Sequence, residues 1–474
     1  MSSFDLSTIT QAEGLGDDEA EMLIDLVDTW RDKKLRNELR GRYYHMKNRL
    51  KDLKISIPPA LTNVETVVGW PAKAVDMLAA RSQFDGYTWA GEGEPLKDVL
   101  FDNQFGLIYS QAVVSELIHS CSFLTLSKGR KGEPQVIISA YSALNAAALW
   151  DDRLKRIKCG MTIVEIERRP HREPVPRWVN LYTDDAIWEI HHDDEKWVAT
   201  KHEHSMGRPM MEVLRYRPSL DRPFGKSRIS RAVMSTTDSA VRCSLRTEVA
   251  AEFATSPQKF LLGADGTIFD DISRWEAYIG NILAISRDED GEVPEFGQLS
   301  QGSMQQHLDY MRSLAAHFSG ETGIPVSELG VIHDNPASAE AIYAAKESLV
   351  IEAESLNAIN GHALKNIGRM AIAAAEDKEL SELSEDEASI EPCFRNPAMP
   401  SIVTQADSMV KLISVFPWMA NSDVALEEVG FADDKRQRLK KERERAQVQQ
   451  NVQNAFALRL QNASSGQASV NKNE

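Results

Sequence analysis

Apolar residues recur at helical spacing toward both ends of the chain and at strand spacing in its middle. Leu23, Leu26, Val27 and Trp30, then Tyr43, Met46, Leu50 and Leu53, fall at the three- and four-residue intervals of one helix face over 22–54, and Pro58 and Pro59 break the pattern. Val64, Val67, Val68, Ala74, Val75 and Leu78 predict a second helix, and 96–119 reads as a third. The period changes at 121. Segments 123–126 and 136–138 read as strands joined by a basic, glycine-containing turn from Lys128 to Gly132. Four more strands follow at 161–166, 178–182, 186–190 and 197–200, with a hairpin turn at Asp193-Asp194-Glu195 between the last two.

After Gly225 the helical period returns. Ile229, Val233, Val241, Leu245 and Val249 share one face at multiples of four, Arg231, Arg242 and Arg246 lie off it, and Pro257 is the expected stop. A mixed segment, 258–302, holds strand-like runs at 260–262 and 282–285. Met304, Leu308, Met311, Leu314, Ala315 and Phe318 then mark an amphipathic helix about 24 Å long, with Gly320 as its stop. A loop punctuated by Gly and Pro, 320–336, leads into the longest helical pattern, from 337 to about 375. Asn335 suits its N-cap, and Pro336 suits the first helical position, where a missing N–H costs nothing. Gly361 and Gly368 are candidate bends. At about 55–60 Å the helix is too long for one compact domain to cover, which predicts packing between subunits. Residues 376–391, with eight carboxylates and one lysine, read as an acidic linker. Residues 401–460 are helical again, and seven basic residues over 435–445 are most simply a solvated face. The Ser-, Gly- and Asn-rich tail after Asn462 is expected to be disordered. The pattern as a whole predicts an α+β fold, mainly helical, with a β-rich central module.

Composition bounds the function. The 474 residues carry 54 Lys and Arg against 71 Asp and Glu, a formal net charge of −17, with 42% hydrophobic and 26% charged residues. That is ordinary for a folded chain of about three modules. The acid excess argues against a protein that grips nucleic acid over a broad basic surface, but not against one that lets nucleic acid pass without holding it. Cys121, Cys159, Cys243 and Cys393 have no short spacing, which predicts free thiols in a reducing compartment. The first 21 residues lack the apolar run of a signal peptide, and no stretch reaches the ~18 apolar residues of a membrane span. Synthesis and assembly in the cytoplasm are expected.

Catalytic signals are weak. Gly225-Lys226-Ser227 resembles the end of a phosphate-binding loop, but Leu220 stands where that loop needs a glycine, and Pro223 removes a backbone donor. A turn at a helix start is the simpler reading. His191, His192, His202 and His204, with Asp193, Asp194 and Glu203, have the chemistry of metal ligands, yet also that of an exposed polar hairpin. No Gly-x-Ser-x-Gly elbow supports a nucleophilic serine. Arg42-Tyr43-Tyr44 and Arg177-Trp178 are the short basic–aromatic runs, better suited to packing than to stacking on bases.

The order of several segments resembles tailed-bacteriophage portal proteins, of the group with a long N-terminal wing. Arg42-Tyr43-Tyr44 through Leu50, then Val67-Val68-Gly69-Trp70-Pro71 to Arg81, are similar to that family's opening helices. Gly207-Arg208-Pro209, the run from Met210 to Arg217-Pro218, and Phe224-Gly225-Lys226-Ser227-Arg228-Ile229 resemble the entry into its stem. Gly323-Ile324-Pro325, Leu329-Gly330 and Asn335-Pro336-Ala337-Ser338-Ala339-Glu340-Ala341-Ile342 resemble its tunnel loop and the helix after it. Phe394-Arg395-Asn396-Pro397, Gln405-Ala406-Asp407, Lys411-Leu412 and Glu427-Glu428-Val429-Gly430 resemble its C-terminal segment. The resemblance spans roughly residues 22–450.

The resemblance implies a homo-oligomeric ring, usually of twelve subunits, at one capsid vertex. Double-stranded DNA enters through its channel during packaging and leaves on infection, without sequence-specific contacts, and no enzymatic activity or cofactor is implied. Carried onto this chain, it gives an N-terminal arm and wing (1–225), first stem helix (226–256), clip (257–302), second stem helix (303–319), tunnel loop (320–336), long wing helix (337–380), crown (381–461) and tail (462–474). The channel-facing residues would be Gly330, Val331, Ile332, His333, Asp334 and Asn335. The motif at the long-helix start would be Asn335, Pro336, Ser338, Ala339 and Glu340. In the clip, Lys259, Arg274, Trp275 and Arg287 are candidates for partner docking. The implied partners are the terminase large subunit, a head–tail adaptor, and the major capsid or scaffolding protein, with no membrane. Twelve copies would carry 12 × −17 = −204 charges, and an acidic channel repels the phosphate backbone. The loop's partly apolar tip, Val331-Ile332-His333-Asp334, does not suit a basic clamp. A helical capsid-interior or adaptor protein and, more remotely, an NTP-dependent enzyme are the competing readings.

Overall fold

A computed structural model describes residues 6–48, 66–89, 91, 96–168, 174–193, 196–255, 259–262, 295–298, 303–330, 339–398, 402–431 and 433–470. The N-terminal part comprises α1 (Asp17–Tyr44), α2 (Trp70–Ala79), β1 (Phe84–Thr88), α3 (Lys97–Asp102) and α4 (Phe105–His119). Eight strands follow: β2 (Cys121–Lys128), β3 (Val136–Ser142), β4 (Ala146–Asp151), β5 (Arg156–Glu167), β6 (Val175–Tyr182), β7 (Ala186–Asp193), β8 (Lys196–Glu203) and β9 (Met211–Arg215). Then come α5 (Arg231–Thr255), β10 (Lys259–Leu262), β11 (Glu295–Gln298), α6 (Gln305–Thr322) and α7 (Ala339–Glu376). The C-terminal part holds α8 (Glu385–Ala388), β12 (Glu391–Phe394), α9 (Ile402–Val415), α10 (Asp423–Glu428) and α11 (Asp433–Val470). The fold is α+β.

Strands β4 to β8 form an antiparallel meander in sequence order, and β3-β2-β9 a second antiparallel sheet. Alternate residues of the meander, among them Met161, Ile163, Val179, Leu181, Ile190 and Trp197, point to one buried face. That face is covered by Leu23, Leu26, Val27 and Trp30 of α1, and by Leu6 and Ile9 of the N-terminal arm. Burying each of these aliphatic side chains is worth about 2 kcal/mol relative to exposure. The arm also adds backbone pairing: Glu13 N–H donates to Trp197 O, and Ala199 N–H to Glu13 O. The smaller sheet belongs to the main core with α2, α4, α6 and α7 from Leu349 onward.

Several expectations change. The second helix begins at Trp70, because Gly69 precedes it and Pro71 fits only a first turn. The expected helix over 96–119 is two helices. Gln104 is left-handed (φ 50°) and Asn103 turns to the sheet instead, its amide donating to Val136 O at 2.8 Å and its oxygen accepting from Ile138 N–H at 2.8 Å. α6 runs through Gly320 and stops at Gly323, whose φ of 68° is the left-handed cap. Residues 376–391 are not a loose acidic linker. Glu379 with Glu382 and Ser384 with Glu387 close two capping boxes, and Ile390 is buried. The chain then returns to pair β12 with β1. α7 is covered in part by this chain, with Leu349, Ala353, Leu356, Leu364, Ile367 and Met370 buried in its own core, while Ile351 is 58% exposed. Gly361 and Gly368 let its neighbours approach, with Tyr87 only 3.1 Å from where a Cβ at Gly368 would stand. The expected tail is helical to Val470, the segment having no proline to break it. Leu50, Leu53, Pro58, Pro59, Val64, Asp194, Glu195, Pro257 and segment 282–285 lie outside the described residues.

Candidate functional site

Most of the expected site residues fall outside the described residues: Val331, Ile332, His333, Asp334, Asn335, Pro336 and Ser338 in the loop, and Arg274, Trp275 and Arg287 in the mixed segment. Lys259 opens β10, opposite Gln298 of β11. Gly330 ends the described part before the loop, with φ 80°, and Ala339 and Glu340 begin α7. The structure therefore defines the mount of the loop.

The chain leading to that segment is packed against α2 and α7. Phe318 of α6 is fully buried against Trp70, ring centroids 5.3 Å apart. Past Gly323, Ile324 is buried and Val326–Leu329 form a 3-10 turn. Trp70 Nε1 donates to Leu329 O at 3.3 Å. Glu328 lies 3.5 Å from Lys73 of α2 and 3.4 Å from Lys346 of α7. Ser348 Oγ donates to Gly323 O at 3.3 Å. Within the expected segment 320–336, the chain is helical to Thr322 and forms a 3-10 turn at Val326–Leu329, and residues 331–336 lie outside the described residues.

A buried arginine joins these pieces. Gly225-Lys226-Ser227 leads into it, and the geometry removes any phosphate-binding role from that run. Gly225 is left-handed (φ 71°), and a Cβ there would lie 2.2 Å from Tyr216 O. Lys226 N–H donates to Tyr216 O at 2.9 Å. Ser227 is buried, its hydroxyl donating to Ile118 O at 2.5 Å and accepting from Ile229 N–H at 3.0 Å. The turn binds its own backbone. Arg228 follows, its side chain 3% exposed. Its Nε donates to Ala74 O of α2 at 2.6 Å, and Nη2 to Thr322 O, the last residue of α6, at 2.6 Å. Nη1 donates to Tyr216 Oη at 2.9 Å and lies 2.6 Å from Glu352 Oε1 of α7. Glu352 also receives Arg217 at 2.9 Å and the Tyr216 hydroxyl. Burial pushes the Tyr216 phenol up to about 12, so it stays a donor to Glu352 at neutral pH. Removing one member of such a buried pair costs about 3–5 kcal/mol, because the other charge is stranded. Sequence reading placed Arg228 in a motif without a role, since its partners lie far along the chain and no spacing encodes them.

A second buried polar contact ties α4 to α7. Asn360 Nδ2 donates to Glu116 Oε2 at 2.8 Å, and both residues are fully buried. Burial pushes the Glu116 carboxyl up to about 8, the Asn360 hydrogen bond opposing this in part, so the group is neutral at pH 7.

Among the described residues the histidines meet other side chains instead of forming a metal site. His191 and His202 lie 3.7 and 3.5 Å from Glu189, which also takes Arg130 at 2.7 Å. His192 contacts Arg177 at 3.1 Å. Among the described residues no group of three or more His, Cys, Asp or Glu is placed to hold a metal ion. The basic–aromatic runs are packing elements. Tyr43 donates to Asp238 at 3.0 Å, Tyr44 to Asp76 at 2.8 Å, and Trp178 stacks on His191. Cys121, Cys159 and Cys243 are buried thiols, and Cys393 Sγ lies 3.6 Å from Thr88 Oγ1. Among the described residues no helix is long and apolar enough to cross a membrane.

No family model matches the chain. The chain is similar to the portal protein of Mycobacterium phage D29, 23% identical over 453 residues, which cover 88% of this chain and 87% of that protein. It is also similar to the portal protein of Mycobacterium phage L5, 24% identical over 429 residues, covering 84% and 83%. The resemblance to phage portal proteins therefore extends along most of the chain. Solved structures with a similar chain course include one from the virion of the native gene transfer agent particle, with TM-score 0.42 and 14% identity, covering 73% of this chain and 85% of that one. Another comes from the neck of the empty gene transfer agent particle, with TM-score 0.38 and 13% identity, covering 86% and 93%.

Proposed function

We propose that the chain is the subunit of a portal ring, in keeping with its likeness to two phage portal proteins, and that twelve copies surround a channel at one capsid vertex. The observation that carries this reading is the length of that likeness, which runs through helices, sheets and connecting segments alike instead of resting on one motif. In this reading α5 and α6, which pack side by side with Cys243 Sγ donating to His307 O at 3.4 Å, are the stem. Segment 257–302 between them is the clip, where the terminase large subunit and later a head–tail adaptor dock. The β-rich module and α7 form the wing, which meets the capsid or scaffolding protein, and α9 to α11 form the crown.

The ring acts as a passive conduit. Packaging needs an energy source, and Gly225-Lys226-Ser227 does not supply a nucleotide site, so the motor is a separate protein. Segment 320–336, which links α6 to α7, is the segment we assign to the channel wall. Assembly takes place in the host cytoplasm, and the mature location is the virion.

Mass measurement of the purified protein tests the proposal. Twelve copies of 53.0 kDa give 12 × 53.0 = 636 kDa, and negative-stain images should show a central channel. A protein that stays monomeric under every assembly condition, or particles without a channel, would overturn it.

A further inference from the structure

The proposed channel loop is held by two helices, and its passage function depends on where its two ends stand. Arg228 lies on neither helix, yet its guanidinium touches the last residue of α6 through Thr322 O and the body of α7 through Glu352. Its third edge reaches Ala74 O of α2, the helix whose Trp70 and Lys73 hold Leu329 and Glu328 just before the loop. Arg228 itself stands three residues before α5 begins.

We propose that Arg228 is a positioning residue for DNA passage. It fixes α6, α7 and α2 relative to one another at the start of α5, and so sets how the helices flanking the segment assigned to the channel wall stand against the first stem helix. The inference rests on the portal reading. Its physical basis is the shape of the group. A planar fork with five donors can serve a carboxylate, a phenol and two carbonyls in different directions at once, whereas a lysine ammonium concentrates its charge at one point. Lysine at this position keeps the charge and can keep Glu352, but it cannot hold all of these acceptors in the same geometry.

The test compares R228K, E352Q and a control, R217K, in the full chain assembled into rings. Arg217 also pairs with Glu352 and lies over the Tyr216 ring, but its side chain is half-exposed, in contrast to the buried Arg228. Three quantities are measured: ring mass, amide hydrogen exchange over 318–350, and DNA packaged per particle with the motor present. The expected result is rings of wild-type mass for R228K and E352Q, with exchange accelerated tenfold or more over 318–350 and unchanged in the β4–β8 sheet. Packaged DNA should fall at least tenfold, and R217K should behave as wild type. If R228K fails to assemble, E352Q decides, since it keeps the arginine contacts to Ala74, Tyr216 and Thr322. Wild-type packaging by either assembled variant, or an exchange increase spread evenly over the chain, would overturn the inference. Failure of the wild-type protein to form rings would instead remove the portal reading on which it rests.

Discussion

Glu116→Gln should make the protein more stable, and the gain should grow with pH. The carboxyl is fully buried between α4 and α7, and its folded-state value near 8 stands well above the ordinary 4.5. A group raised in this way contributes fully below the unfolded value and loses that contribution as pH climbs through the folded one. Between pH 5 and 8 the wild-type chain should therefore lose about 1.4 kcal/mol per pH unit from this residue, or about 3 kcal/mol by pH 7. Glutamine is neutral at every pH and nearly isosteric. Its oxygen can keep the hydrogen bond from Asn360 Nδ2, and its amide offers a donor to Asn360 Oδ1, which is buried without a partner. Urea unfolding of the full-length, unassembled chain at pH 5.5, 7.0 and 8.5 measures the difference between variant and wild type. Taking the difference cancels every other titrating group, including His119. A difference that stays flat across this range would refute the burial argument, because it would mean that Glu116 titrates near its ordinary value.

The other expectations concern neighbouring features. His119 is buried, and desolvation depresses it to about 4, so its stabilising contribution is present above pH 6.5 and is lost as pH falls toward 4; His119→Gln should flatten the acid limb of a stability–pH curve by about 3 kcal/mol. Gly225→Ala meets both a left-handed φ and the Tyr216 carbonyl, and should cost about 3 kcal/mol in denaturant unfolding. Replacing 331–336 with an equally long Gly/Ser run should leave ring mass unchanged and lower packaged DNA, and loss of the ring would show that the segment belongs to the subunit interface.

What sequence reading recovered and missed follows from range. The strands at β2, β3 and β5 to β8 show strand-like runs of β-branched and aromatic residues, so their local pattern identifies them. β4 was invisible because Ala146-Ala147-Ala148 carries no strand signature, and it is a strand only because β5 pairs with it. β9 is buried on both faces and shows no alternation. The stop of α6 was misread by three residues, since Gly320 and Gly323 are equivalent as letters and only the packing of Ile324 selects the second. The joint at Arg228 lay beyond any local pattern. Its acceptors come from α2, α6, α7 and Tyr216, which only the fold brings together.

The acid excess makes a sharper statement once the interior is accounted for. Buried charges come largely as matched pairs: Arg228 with Glu352, and Arg208 with Glu212. Glu116 is neutral at pH 7, so the formal −17 becomes −16, carried mainly by the surface. A ring of twelve would then carry 12 × −16 = −192 charges in all. The logarithm of a DNA affinity falls with the logarithm of salt by about 0.9 for each phosphate neutralised. A channel that releases what passes through it should neutralise few. Assembled rings titrated with short duplex DNA over 50–200 mM salt should therefore show weak binding and a slope shallower than about −2. A slope of about −5 or steeper would mean that five or more phosphates are held together. That result would replace the repulsive conduit with a basic clamp, and its cations would have to come from the clip or the loop, where Lys259, Arg274, Arg287 and His333 stand in the sequence.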